Sequence, residues 1–185
     1  QKYPRTFKED LEKVTAARID YLFYPDVKEI YKNDYKYKVT ETDFSKVLCG
    51  KFRPGHFDGV LTVVLKLFNI IQPTKAYFGE KDYQQLKLIE EMVKEFFLDI
   101  EIIAVPTVRD NKGLALSSRN TRLTESGLET ARLFANILAQ KKSIEEIRNE
   151  LTQKGIDVEY LEEHFNRKFA AVNIEGVRLI DNIAN

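Results

Sequence analysis

The sequence has little cysteine and no excess of charge of either sign. Its single cysteine, Cys49, excludes an internal disulfide bond and is typical of a protein from a reducing compartment. The chain of 185 residues balances 29 Lys and Arg residues against 29 Asp and Glu residues. Because no overall field attracts nucleic acid or an anionic membrane, neither is an expected partner, and any anion-binding site must be local.

Long hydrophobic runs and the common nucleotide-binding motifs are also missing. The most apolar stretch, residues 59–71, is too short to span a bilayer and contains Lys66. The sequence has no GxGxxG pattern, no P-loop and no nucleophile–histidine pattern, which argues against transfer of a γ-phosphoryl group. Apolar residues make up 43% of the chain and charged residues 31%. This composition is typical of an ordinary globular protein, and we expect a cytoplasmic location.

Hydrophobic periodicity predicts alternating strands and helices in the first part of the chain. The apolar-aromatic run at 20–25, which ends in proline, predicts a buried strand, and residues 75–79 and 100–108 predict two more. Helices are predicted at 60–71 and 82–97. Because short links join these elements, we expect an α/β fold with a parallel sheet and helices packed on its faces.

The pattern changes after Pro106. A polar loop at 109–124 precedes predicted helices at 125–139 and 143–153. The segments VEYLEEHF, KFAAVNI and VRLIDNI at the end of the chain predict three strands of a small α+β unit. We therefore place a domain boundary near residue 107, with one domain at 1–107 and a second at 108–185.

The segment YFGEKDYQQ, residues 77–85, places polar residues where a predicted strand ends and a helix begins. Gly79 allows a tight turn, and the free N–H groups of the first helical turn favour an anion. Lys81 adds a positive charge and shares a helical face with Gln85, while Asp82 is suited to a ribose hydroxyl or a metal. The alternative is a solvated, well-capped helix start.

Two further segments carry polar side chains suited to binding. Residues 114–120, LALSSRN, offer hydroxyl donors and a guanidinium for phosphate oxygens, or else serines that satisfy their own backbone. RPGHF, residues 53–57, places Arg53 and His56 in a rigid turn, where His56 is either an acid–base group or a partner of loop backbone. In the apolar helix that follows, Val63, Val64 and Leu67 either line a small-substrate pocket or belong to the core.

Several of these segments, in this order, resemble the pantothenate synthetase (pantoate–β-alanine ligase) family of adenylate-forming nucleotidyltransferases. The resemblance covers essentially the whole chain. Its landmarks are YPR at 3–5, LCGKFRPGHFDGVLTVVLKLFNIIQP at 48–73, YFGEKDYQQL at 77–86, VPTVRDNKGLALSSRN at 105–120 and RLIDNI at 178–183. The resemblance implies a partial Rossmann-like parallel sheet of the adenylylating nucleotidyltransferase type, followed by a small α+β C-terminal domain that serves as a lid.

The resemblance also implies a two-step reaction. ATP and pantoate give pantoyl-adenylate and pyrophosphate with the help of Mg²⁺, and β-alanine then attacks the adenylate to release pantothenate and AMP. The implied partners are therefore small molecules, and the implied assembly is a homodimer. Two rivals remain open at this point: a nucleotidyltransferase with another acceptor, and a nucleotide-binding or dimerisation fragment without activity.

Site residues follow from the resemblance position by position. Those implied to bind ATP are Gly79, Glu80, Lys81, Asp82, Val108, Leu116, Ser117, Ser118 and Arg119, of which Lys81, Ser117, Ser118 and Arg119 are implied to be catalytic. Gln85 is implied to hold pantoate, with Val63, Val64 and Leu67 of the apolar helix predicted to line its pocket, Arg53 and His56 at the rim, and Glu9 and Asp10 as metal contacts. Leu116 stands where many members of the family have Met.

One departure from the family concerns the N-terminal side of the site. The family's His-x-Gly-His element, which grips the triphosphate, and a substrate-binding glutamine upstream of YPR are not among these residues. Either the chain is truncated or those residues lie outside the given sequence, and we expect the 185 residues alone to be inactive.

Overall fold

The computed structural model describes residues 7–32 and 34–185, which divide into two compact units, Gln1–Lys36 and Tyr37–Asn185. The YPR landmark at 3–5 lies outside the described residues. The first unit contains helix α1 (Phe7–Ala16) and the short helix α2 (Val27–Ile30).

The prediction of a buried strand at 20–25 is wrong. No strand forms there, and Tyr21 is 91% exposed. A strand needs a neighbouring backbone to complete its hydrogen bonds. In the described part of the first unit, no second strand supplies that partner.

The second unit begins with a parallel sheet of two strands. The first part of this unit contains α3 (Cys49–Phe52), α4 (His56–Ile71), β1 (Lys75–Gly79), α5 (Tyr83–Glu95) and β2 (Glu101–Val105). Strands β1 and β2 pair in parallel, with Lys75 opposite Glu101 and Gly79 opposite Val105. Because α5 forms the crossover between them, the predicted parallel α/β arrangement is confirmed, with two strands instead of three.

The C-terminal part is an antiparallel sheet preceded by two helices, as predicted. The elements are α6 (Glu125–Leu138), α7 (Ile144–Gln153), β3 (Asp157–His164), β4 (Arg167–Ile174) and β5 (Val177–Ala184). The strands lie in the order β3-β4-β5. A capping box between Ser143 and Glu146 fixes the start of α7, since each side chain binds a backbone N–H that the helix leaves free.

The three-stranded sheet is packed on both of its faces. Ala170 and Val172 of β4 belong to a hydrophobic cluster with α6 and α7, the α6–α7 cluster. Phe169 and Ala171, which alternate with them, belong to a cluster with α4 and α5, the α4–α5 cluster. Because successive side chains of a strand point to opposite faces, one strand serves both clusters, and β4 is buried along most of its length.

The two clusters join the parts of the second unit into one packed body. The α6–α7 cluster includes Phe134, Leu138, Ile147, Leu151 and Leu161, and the α4–α5 cluster includes Phe57, Leu61, Ile89, Met92 and Tyr160. A domain boundary near residue 107 stays a prediction. Among the described residues, no helix is both long and apolar enough to cross a membrane.

A first test concerns Gly50, where α3 approaches the preceding loop. A Cβ atom at this position would overlap the carbonyl oxygen of Ser45, so the backbone must shift to accept any side chain. We expect Gly50→Ala to lower the free energy of unfolding by about 2–3 kcal/mol, measured by urea denaturation. Gly79→Ala is the control, because no atom lies within 4 Å of the added carbon. Equal stability of the two variants would contradict the close approach at Gly50.

Candidate active site

A cavity lies at the carboxyl end of β1, where α5 begins. Its polar rim is formed by Arg53, His56, Lys81, Asp82, Gln85 and Arg119, and its floor by Cys49, Phe57, Tyr160 and Phe169. A second, smaller cavity shares Lys81 and Arg119 with the first and adds Ser117. The start of α5 and the loop at residues 117–119, the serine–arginine loop, therefore border the same space, although they are distant in sequence.

The start of α5 leaves its first polar groups available to a ligand. A short 3₁₀ turn, Glu80–Asp82, leads into the helix, and Asp82 makes no side-chain cap. The alternative of a well-capped helix start therefore does not hold for Asp82. The ammonium of Lys81 makes no hydrogen bond or ion pair within the described residues. An uncapped helix N-terminus beside a free ammonium is suited to an anion.

The two adjacent glutamines of α5 have different environments. Gln84 is 5% exposed and fully bonded: its Nε2 donates to the carbonyls of Phe44 and Val47 at 2.8 and 2.9 Å, and its Oε1 accepts from the N–H of Cys49 at 3.1 Å. Gln85 lines the cavity and makes no such bond within the described residues. Gln84 thus fixes the loop before α3, and Gln85 is left to a ligand.

The serine–arginine loop follows a hairpin at residues 108–116, which is held in place by several hydrogen bonds. Its strands meet where Leu116 N–H donates to the carbonyl of Val108 at 2.9 Å. Asp110 accepts from two backbone N–H groups of the hairpin turn, which places Gly113 at φ +91°. Arg109 donates two hydrogen bonds to the carboxylate of Asp181 in β5, at 2.6 and 2.8 Å. The loop that follows the hairpin is therefore anchored to the C-terminal sheet.

Within the loop, the serines and the arginine take different roles. Ser117 Oγ accepts from the N–H of Arg119 at 3.2 Å, as the local-turn alternative predicts, and Ser117 also borders the smaller cavity. The carbonyl of Ser118 accepts from Thr121 Oγ1 at 2.8 Å. The guanidinium of Arg119 lines both cavities and makes no hydrogen bond within the described residues.

His56 is held neutral at the rim. Its Nε2 lies 3.0 Å from Nη1 of Arg53, so its partner is a side chain and not the loop backbone. Burial, followed by the positive charge of Arg53, lowers the pKa of His56 to about 4. At neutral pH the imidazole is therefore an uncharged hydrogen-bonding group.

Several residues implied by the resemblance do not line the cavity. Val63, Val64 and Leu67 lie on α4 outside the lining, and Val64 packs against the α4–α5 cluster. Val108 and Leu116 are 63% and 54% exposed on the hairpin. Their binding roles stay predictions. Gly79 and Glu80 also lie outside the lining, although both adjoin Lys81.

The described residues hold no group of three His, Cys, Asp or Glu side chains that could bind a metal ion alone. Glu9 and Asp10 lie in the first turn of α1, in the first unit, and their metal role stays a prediction. Of the two carboxylates that line the cavity in the described residues, Asp181 is paired with Arg109, which leaves Asp82. One carboxylate fits a cation that brings phosphate oxygens as further ligands.

Sequence reasoning missed the polar contacts of Cys49 in the floor of the cavity and the polar pair Asp181 and Asn182 of β5. Cys49 Sγ lies 3.0 Å from the hydroxyl of Tyr160 and 3.6 Å from Nη2 of Arg178. Asp181 and Asn182 are each 3% exposed. The two adjacent polar residues Asp181 and Asn182 within the strand sequence VRLIDNI were the available signal, because buried polar groups need specific partners.

Comparisons with known proteins agree with one another. The family model described as pantoate-beta-alanine ligase matches residues 1–184. The pantothenate synthetase of Legionella pneumophila (strain Lens) is 56% identical over 180 residues, which cover 97% of this chain and 71% of that protein. The crystal structure of pantoate-beta-alanine ligase from Francisella tularensis, complexed with beta-gamma ATP and beta-alanine, matches with a TM-score of 0.91 and 42% identity, over 98% of this chain and 71% of that one. Pantothenate synthetase from Thermus thermophilus matches with a TM-score of 0.88 and 35% identity, over 99% and 76%.

The environment of His56 leads to a pH prediction. Because its pKa is lowered from 6.5 to about 4, the unfolded chain takes up this proton at a higher pH than the folded one. The contribution of His56 to stability is therefore present above pH 6.5 and is lost as the pH falls toward 4. NMR titration of the imidazole should give a value near 4, and Arg53→Leu should raise it. A pKa of about 6 or above in the unmodified protein, within the ordinary range, would contradict this account.

Proposed function

Because the chain belongs to the pantoate–β-alanine ligase family, we propose that its cavity carries out the ATP-dependent condensation of pantoate with β-alanine to pantothenate. In the first step the pantoate carboxylate attacks the α-phosphorus of ATP and pyrophosphate leaves. In the second step the amine of β-alanine attacks the acyl carbon of pantoyl-adenylate and AMP leaves. The observation that carries the proposal is that Lys81 and Arg119, from separate elements, border one cavity.

Lys81 and Arg119 are proposed to bind the triphosphate and to stabilise the charge that develops on the departing pyrophosphate. Both cations lie at the cavity without a partner among the described residues. Donors fixed before the reaction need no rearrangement when the charge appears, which makes them effective. The N–H groups at the start of α5 and the hydroxyls of Ser117 and Ser118 are proposed to bind phosphate oxygens alongside them.

The acyl substrate is proposed to lie against Gln85 and the rim. Gln85 offers an amide that no described residue uses. Because a guanidinium only donates, Nε2 of the neutral His56 accepts from Arg53, and the other nitrogen, Nδ1, carries the proton and can donate a hydrogen bond without adding charge. The guanidinium of Arg53, whose Nη1 contacts His56, can bind a carboxylate beside that imidazole. A serine–arginine loop that covers these groups would exclude water from the reactive adenylate.

Mg²⁺ is proposed to enter with ATP and to be shared by the phosphates and Asp82. When bound, the metal would neutralise phosphate charge during adenylation. The uncommitted carboxylate of Asp82 beside Lys81 supports this assignment. A homodimer and a cytoplasmic location stay predictions from the sequence.

The first test of the function is the variant Lys81→Ala in the full-length protein. Loss of one charge-stabilising donor should lower the rate of pantoate-dependent ATP–pyrophosphate exchange roughly 10²–10³-fold. Lys94→Ala is the control, because Lys94 lies exposed in the last turn of the same helix. A loss of less than about threefold in Lys81→Ala would exclude the phosphate role. Exchange that does not require pantoate would instead favour a nucleotidyltransferase with another acceptor.

A second test uses the two glutamines as a matched pair. Gln85→Ala should raise the KM for pantoate about tenfold, the scale of one lost hydrogen bond, and leave the unfolding midpoint unchanged. Gln84→Ala should lower that midpoint, because three backbone groups that are buried or half-buried lose their partner. Steady-state kinetics and thermal unfolding of both variants measure these effects. The reverse pattern would show that the two side chains have been assigned the wrong roles.

A further inference from the structure

We propose that Asp181 and Asn182, adjacent in β5, are positioning residues that hold the two phosphate-binding elements at a fixed distance from each other. Asn182 binds the segment that carries Lys81, and Asp181 binds the hairpin that carries Arg119. This inference rests on the proposed function, since it concerns how Lys81 and Arg119 act together on one triphosphate.

The NH₂ group of the Asn182 side chain binds the start of α5, and its oxygen binds Arg167 of β4. Asn182 is 3% exposed, and its Nδ2 donates to the carbonyls of Glu80 and Lys81, both at 3.0 Å. Its Oδ1 accepts from Nη1 of Arg167 at 2.5 Å. A guanidinium only donates, so the oxygen must face Arg167 and the NH₂ group must face the two carbonyls. The orientation of the amide is therefore determined by its partners.

Arg167 is itself held in place by the same segment. Its guanidinium lies 4.2 Å from the ring centroid of Tyr83, the first residue of α5, and its Nη2 lies 3.9 Å from a carboxylate oxygen of Glu80. The contact of β4 and β5 with the helix start is thus a network of polar and cation–π interactions. Such a network fixes a backbone position more closely than apolar packing does.

Asp181 forms the corresponding contact with the hairpin. Its carboxylate accepts both hydrogen bonds from Arg109, and Arg109 also donates to the carbonyl of Gly113 at 3.0 Å. The hairpin continues into Ser117, and Asn120 Nδ2 donates back to the carbonyl of Ala115 at 3.0 Å. The loop that carries Arg119 is therefore bound at both ends to the hairpin, and Asp181 anchors the hairpin to β5.

Neighbouring positions in a strand explain why two adjacent residues reach two separate elements. Successive side chains point to opposite faces of the sheet, and Leu179 and Ile180 already divide between the two clusters. In the same alternation, Asp181 reaches the hairpin and Asn182 reaches α5. The positions of Lys81 and Arg119 are thus linked through one short strand. A small displacement of a catalytic group lowers the reaction rate.

The test is Asn182→Asp in the full-length protein. Aspartate keeps an acceptor for Arg167 but replaces the NH₂ donor with an oxygen that faces two carbonyls. Pyrophosphate exchange should fall about tenfold or more in the wild-type background, and less than about threefold in the Lys81→Ala background. A purely structural role would give the same loss in both backgrounds and would overturn the proposal, as would an unchanged rate.

Hydrogen exchange of the backbone amides at 79–83 provides a readout that does not depend on catalysis. Asn182→Asp and Asn182→Ala should both speed exchange there at least about tenfold and leave β2 unchanged. Asn173→Ala is the control, because Asn173 of β4 donates to Asp157 at 3.2 Å instead of to this segment. Unchanged exchange at 79–83 in a folded Asn182 variant would overturn the proposal.

The two readouts separate failure of this inference from failure of the function. If Lys81→Ala leaves pyrophosphate exchange intact, the function proposed for Lys81 is wrong, while hydrogen exchange still decides the role of Asn182. If neither Asn182 variant folds, Asp181→Asn keeps the shape of the side chain and removes the charge that faces Arg109. The rate loss that Asp181→Asn causes should then be smaller in an Arg119→Ala background than in the wild-type background. Equal losses in the two backgrounds would overturn the proposal.

Discussion

The ion pair between Arg109 and the buried carboxylate of Asp181 is the contact on which the shape of the candidate active site depends. Asp181 is 3% exposed, and a desolvated carboxylate without a cation would be strongly destabilising. The bidentate geometry satisfies both oxygens and fixes the direction of the hairpin at once. Because the sheet that carries Asp181 is packed on both faces, the pair cannot move without disturbing two clusters. Ser117 and Arg119, in the loop that follows the hairpin, therefore border the cavities.

Polar residues around the cavity fall into two sets with complementary tasks. Gln84, Asp181 and Asn182 are buried with their hydrogen bonds satisfied inside the protein. Lys81, Gln85 and Arg119 reach the cavity without partners among the described residues. The first set fixes the backbone that carries the second, so that the free groups are ordered before a ligand arrives, and ordering in advance is what electrostatic catalysis requires.

Much of this arrangement could be predicted from the sequence, and the rest depended on tertiary contacts. Helices with strong periodicity and the three C-terminal strands were predicted nearly at their observed limits, because their pattern is local. The strand at 20–25 was predicted wrongly because pairing requires a neighbour that a local pattern cannot reveal. The spacing from Lys81 singled out Gln85, but the structural role of Gln84 depends on buried partners that only the packing of α5 reveals. Likewise Asp181 and Asn182 stood in a recognised landmark, but their partners lie 72 and 101 residues away.

The floor of the cavity gives the molecule a built-in reporter. Cys49 is the only thiol in the sequence, and it lies 7% exposed beneath the rim, beside Tyr160. A thiol-specific reagent can reach it only when the surrounding side chains separate, so the speed of labelling measures how often the floor opens. Ligands that fill the cavity would slow that reaction, which makes the lone sulfur a gauge of occupancy that needs no engineered label.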